Sequence, residues 1–177
     1  NKEFALLYCI EANNISSQIE LNWETQIRLH SSLSTAFSAV EAYSYAINHS
    51  KIAIGITEKY KEEKFSLIWM YGRVGTLYLL KDQLDSALYF YRKALPFAIL
   101  HDDLLFISSS YNNLGIAFSK INMDSSLYYF SYSKEILYLG SRSDSALMTS
   151  INDNLADFYF ENEEYGLAEP LYKWNLD

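Results

Sequence analysis

Few residues in this 177-residue chain stand at spacings that support chemistry. A metal site calls for histidines or carboxylates one turn apart on a helix. His30, His49 and His101 have no such partner and read as solvated or locally hydrogen-bonded. Asp153 and Asp157 do stand one turn apart. They form either a solvated helix face or an acidic patch that grips a basic peptide group, a cation being the lesser alternative. The one cysteine, Cys9, can build neither a disulfide framework nor a cysteine-rich zinc site within the chain. It reads as a buried, inert thiol at a helical packing position. Phosphate-cradling glycine loops, a Gly-x-Ser-x-Gly elbow and an identifiable Ser–His–Asp set are all missing. Asn14-Ile15-Ser16 and Asn48-His49-Ser50 fit the glycosylation pattern, which is common by chance. The expectation is a protein without enzymatic activity, cofactor or metal.

Composition narrows the class further. Half of the chain is apolar, enough for a substantial core. Lys and Arg number 14 against 22 Asp and Glu, a net charge of −8, which disfavours direct nucleic-acid binding and binding to anionic membranes. With 6 Gly, 2 Pro and no alternating β-rich runs, the chain reads as all-α. The longest apolar stretches, such as 94–100, are too short to cross a bilayer. One free cysteine suits the cytoplasm, the favoured compartment, or the periplasm if the chain is part of a membrane-anchored sensor. The absence of an initiator Met suggests a piece of something longer.

The elements that position these residues repeat. Small residues recur as Ser34, Gly75, Gly115 and Ala156, at spacings of 41, 40 and 41. An aromatic follows each by three residues: Phe37, Tyr78, Phe118 and Tyr159. Twelve residues after the small position stand Ala46, Ala87 and Ala168, while Ser126 comes at eleven, so the turn at 122–124 should be one residue shorter. Tyr89-Phe90-Tyr91 recurs as Tyr128-Tyr129-Phe130, which makes core packing the default for these rings.

This register resembles the tetratricopeptide repeat (TPR), in a long form of about 40 residues similar to the repeats of kinesin light chain and of bacterial regulators. The wording Ala168-Glu169-Pro170-Leu171-Tyr172 supports the kinesin-light-chain likeness. The resemblance implies an all-α, right-handed superhelical array of antiparallel helix pairs (a TPR-like α-solenoid), with each small residue on helix A facing the Ala of helix B. Read this way, residues 1–177 are a single array: 1–16 the second helix of a partial repeat, then repeats at 17–60, 61–101, 102–142 and 143–177, the last incomplete. A side chain larger than Ala at Gly75 or Gly115 would then push two backbones apart. Neither end looks like a polar cap, so apolar ends and self-association through them are expected.

Local signals set the boundaries. Ser17-x-x-Glu20 reads as a capping box opening the first full helix A, which runs to about Ala39. Helix B follows from Ala42 and fades near Tyr60. The next pair covers 62–81 and 82–100. Asp102 or Asp103 caps the following helix, Asp124 the next helix B, and Ser143 or Asp144 starts the last helix A. Glu161 to Glu164 form a solvent-facing turn.

The resemblance also implies where a ligand touches: concave helix-A positions beside the small residue. By register these are Arg28, Ser31 and Thr35 in the first full repeat, and Trp69, Gly72, Arg73 and Thr76 in the second. The third supplies Asn112, Asn113 and Ile116, with Ser109; the last supplies Asp153, Asn154, Asp157 and Phe160, with Ser150. Ser31 and Thr35 replace the Lys and Asn of the family's carboxylate-binding mode, which argues against a chaperone-tail receptor. A groove of Asn, Ser and Thr with acid at its C-terminal end suits an extended peptide, held through its backbone, with basic groups toward the last repeat. The leading expectation is therefore a protein- or peptide-binding scaffold. The alternative is a ligand-sensing or regulatory region of a larger bacterial signalling protein, a histidine kinase or a helix-turn-helix regulator.

Overall fold

The structure, a computed structural model, describes residues 2–60, 64–139 and 145–174. Among these residues every regular element is a helix: α1 (Lys2–Ser16), α2 (Trp23–Ala39), α3 (Tyr43–Lys59), α4 (Lys64–Leu80), α5 (Leu84–Leu100), α6 (Leu104–Ser119), α7 (Met123–Leu139), α8 (Ser145–Glu161) and α9 (Tyr165–Trp174). None is long and apolar enough to cross a membrane. The chain divides into two compact units, residues 1–97 and 98–177. In the first, α1 packs on α2, α2 on α3, and α3 on α4. In the second, α6 packs on α7, α7 on α8, and α8 on α9, while α6 also touches α8.

The repeat places small and large residues against each other, with a correction to the expected partner. The glycines of helix A make room for rings sixteen or fifteen residues later, on helix B. A Cβ on Gly75 would lie 2.5 Å from Cδ1 and Cε1 of Tyr91, and one on Gly115 2.5 Å from Cδ1 of Phe130. Both rings are buried. Even an alanine is therefore too large at these two sites. In the first repeat the same two places hold Ser34 and Ser50, whose hydroxyls lie 2.6 Å apart. The residue at the Ala position still touches the backbone in the third repeat, where the Ser126 hydroxyl donates to the Gly115 carbonyl at 2.9 Å.

A second column stacks rings within the pairs α2–α3, α4–α5 and α6–α7. It joins the residue four before the small position, the one fifteen after it (fourteen in the third repeat), and the aromatic three after it. The middle ring lies 5.4 Å from the last in His49–Phe37, 5.5 Å in Phe90–Tyr78 and 5.2 Å in Tyr129–Phe118. The first ring lies 5.2 Å from the middle one in His30–His49, 6.2 Å in Tyr71–Phe90 and 6.1 Å in Tyr111–Tyr129. Such offset contacts add stability beyond the area they bury.

The ends of α2, α4, α6 and α8 follow one plan with one exception. After α2, α4 and α8 the chain takes a left-handed residue: Glu41 (φ 62°), Asp82 (φ 57°) and Glu163 (φ 64°). Each sits in a Schellman motif, whose outer bond runs from the next N–H back to the carbonyl of the column aromatic: Ala42 to Phe37 at 2.9 Å, Gln83 to Tyr78 at 2.9 Å, and Glu164 to Tyr159 at 2.8 Å. After α6 the N–H groups of Ile121 and Asn122 both go to the Phe118 carbonyl, and no left-handed residue intervenes. That missing residue shortens the spacing from Gly115 to Ser126.

Several cap assignments change. The first full helix A opens at Trp23, not at Ser17. Asn22 caps it by accepting from the Thr25 N–H at 2.8 Å, and the Ser17 hydroxyl instead donates to the Asn14 carbonyl at 2.7 Å. An Asn one residue before the helix reaches its third N–H directly, which leaves the Ser17–Glu20 box no helix start to serve. Asn122, not Asp124, caps α7 through the Ser125 N–H at 2.8 Å. Asp103 caps α6. The expected starts at Glu62 and at Ser143 or Asp144 lie outside the described residues. Cys9 is partly exposed rather than buried.

Candidate functional site

The residues expected to face a ligand lie on α2 and α4 in the first unit and on α6 and α8 in the second. In the first unit Arg28 and Thr35 on α2 are exposed and Ser31 is half-buried. The Thr35 hydroxyl donates to the Ser31 carbonyl at 3.0 Å. On α4, Trp69 is 65% exposed, Thr76 is exposed, and Gly72 and Arg73 are half-buried. The Thr76 hydroxyl reaches the Gly72 carbonyl at 3.2 Å and the Tyr91 hydroxyl at 3.1 Å. Arg73 donates from Nε to the Ser34 hydroxyl at 3.3 Å, tying α4 to α2, and burial lowers its pKa from the ordinary value.

In the second unit α6 and α8 lie side by side. Asn112 is only 4% exposed, and its Oδ1 accepts from Nδ2 of Asn154 at 3.1 Å. Asn113, Ile116 and Asn154 are half-buried, and Asp153, Asp157 and Phe160 are exposed. Ile116 packs on the core of Phe130, Leu137, Met148, Ile151, Leu155 and Phe158. Asp157 accepts from the Tyr172 hydroxyl at 2.7 Å. That bond, with burial and the nearby Asp153 and Glu161 charges, pushes the Tyr172 phenol up to about 12. Phe160 meets Tyr165 edge-on at 5.3 Å. Arg73 and Asn154 occupy the same register position, and each reaches back to the helix A of the preceding repeat. Hydrogen bonds thus tie α4 to α2 and α8 to α6 at this register position.

The structure also joins two histidines that do not stand one turn apart on a single helix. His30 on α2 and His49 on α3 approach to 2.9 Å between Nδ1 atoms. Burial lowers both pKa values, and the His49 ring lowers that of His30 further. The signal was available in the register, where these histidines hold the places of Tyr71 and Phe90. Among the described residues no group of three or more His, Cys, Asp or Glu could hold a metal ion.

The sequence matches no protein-family profile and no curated protein. Its fold is similar to several solved structures. BtubC (BKLC) from P. vanneervenii superposes at TM-score 0.75 with 17% identity, covering 94% of this chain and 68% of that one. The TPR-like repeats of a Podosopora anserina kinesin light chain give 0.74 and 13% over 97% of this chain and 84% of that one. The Rap conjugation gene regulator of plasmid pLS20, solved in complex with the Phr* peptide, gives 0.63 and 16% over 96% of this chain. The chain spans 56% of that regulator's length. All of these likenesses lie in the architecture, and with the internal register they establish that the chain has the fold of a TPR-like, all-α helical repeat.

Proposed function

We propose that the chain is a non-catalytic protein- or peptide-binding scaffold, a single repeat array whose helix-A surfaces hold an extended segment. The observation that carries this reading is the paired amides of α6 and α8. Asn154 commits one amide proton to buried Asn112. Its carbonyl oxygen and second proton remain for the N–H and C=O of a peptide backbone. Fixing the amide in advance reduces the ordering cost of binding. Exposed Asp153 and Asp157 beside it favour basic groups at that end of the peptide. The likeness to a regulator solved with a peptide supports the same reading.

The test is selection of binders from a random peptide library, followed by calorimetric titration of the parent and of Asn154→Ala and Asn113→Ala. Loss of about 1 kcal/mol per amide, several-fold in Kd, is expected. Binding unchanged in both variants would refute the helix-A face as the contact.

The second reading, a sensory or regulatory region of a larger bacterial signalling protein, is favoured by the likeness to the Rap regulator. It predicts that a bound peptide alters the output of the full natural chain, either phosphotransfer or DNA binding. An output indifferent to the peptide would reject it.

A further inference from the structure

The column of stacked rings breaks at α9. The place held by His49, Phe90 and Tyr129 in the earlier repeats is taken there by Leu171, and the place of Tyr89 by Pro170. In the first unit the corresponding seam is filled from the preceding helix B. Lys51 donates to the Tyr78 hydroxyl at 2.7 Å, and its ammonium lies 5.2 Å from the Tyr78 ring and 5.5 Å from Phe90. The register equivalent of Lys51 on α7 is Ser131. Three replacements by smaller side chains thus fall on one seam, and a cavity of about 420 Å³ opens there between α7, α8 and α9.

The chemistry of that slot differs from that of its filled counterpart. Its floor is apolar: Leu155, Leu167, Leu171 and the Tyr159 ring. Among the described residues its polar side-chain groups are the Ser131 hydroxyl, the Lys134 ammonium and the Tyr159 hydroxyl, and no carboxylate lines it. Lys134 gives one proton to Asn152 Oδ1 at 3.0 Å and has two more. Lys134 stands where the first unit has buried Ile54, so the slot carries its own cation. A second cation would meet like charge, with one ring in place of two.

We propose that this slot binds a partner peptide through an aliphatic side chain followed by an acidic residue. The aliphatic group lies on the leucine floor and the carboxylate on Lys134. A charge-assisted hydrogen bond at the rim over an apolar floor is the usual division of labour in small sites, and the cavity has the size for two residues. The slot shares no residue with the helix-A face of the preceding proposal. Binding at either can fail while the other stands.

The experiment follows the methyl resonances of Leu155, Leu167 and Leu171 by NMR as capped dipeptides are titrated into the intact chain. N-acetyl-Leu-Asp-amide shifts all three and saturates. N-acetyl-Leu-Asn-amide and N-acetyl-Ala-Asp-amide each bind about tenfold more weakly. Ser131→Met, at an exposed position, lays an uncharged chain of about the length of Lys51 into the slot and abolishes the shifts while melting no lower than the parent. The proposal is overturned if the leucine methyls do not respond, if Ser131→Met binds like the parent, or if N-acetyl-Leu-Lys-amide binds as tightly as the aspartate peptide.

Discussion

His30 and His49 face each other Nδ1 to Nδ1 at 2.9 Å, so one imidazole donates and the other accepts. At most one of the two rings can then carry a charge, since two imidazolium rings would aim protons at each other. His49 also lies nearly parallel to Phe37, at 5° and 5.4 Å. The pair thus does the work that Tyr71 and Phe90 do one repeat later, with a titratable bond in place of an inert contact.

Stability should fall as this pair is protonated. Both folded pKa values lie below the ordinary 6.5. Below 6.5 the unfolded chain therefore binds more protons, and stability complete above that pH is lost as pH falls toward the folded values. Urea midpoints measured across about pH 7.5 to 5.5 check this. The double variant His30→Tyr/His49→Phe, which copies Tyr71 and Phe90, should lose less over that range. An identical loss in both proteins would assign the pH dependence to other groups.

Substitutions at the glycines should have opposite signs. At Gly75 an alanine meets the buried Tyr91 ring, and overpacking outweighs the gain in helix propensity for a net loss of about 1–2 kcal/mol. At Gly55 nothing lies within 4 Å of the added Cβ, so alanine stabilises by roughly 0.5–1 kcal/mol. Denaturant titration of the two variants distinguishes these effects. A gain in Gly75→Ala would show that Tyr91 yields freely.

The three Schellman turns carry acidic residues where glycine costs nothing. Asp82→Gly or Glu163→Gly should stabilise by about 0.5–1 kcal/mol, because an L side chain at positive φ is strained. Ile121→Gly, in the turn with no left-handed residue, should instead destabilise through added freedom of the unfolded chain. Thermal melts of the three variants test the contrast, and stabilisation by Ile121→Gly would contradict it.

Much of this architecture is legible in the residues. Gly75, Gly115 and the aromatics three positions later mark helix A, and the eleven-residue step to Ser126 already reports the shorter turn. The partner of each glycine was obscured because Ala46, Ala87 and Ala168 give a cleaner column than Ser50, Tyr91 and Phe130, although the varied column is the one that meets the small residue. The histidine pair was hidden for a related reason. Spacing of one turn marks neighbours on a single helix, whereas these two rings meet across two helices, nineteen residues apart. On the candidate surface, the helix-A side of Asn112 is readable from register. Its burial is not, because that depends on how closely α8 approaches α6 one repeat later.

Hydrogen exchange in the presence of a selected peptide decides whether the helix-A face is the contact surface. Added protection is expected on α6 and α8 around Asn113, Asn154 and Asp157, and Asn154→Ala raises several-fold the peptide concentration needed to reach it. Protection confined to α7 and α9, unaffected by that variant, would contradict this.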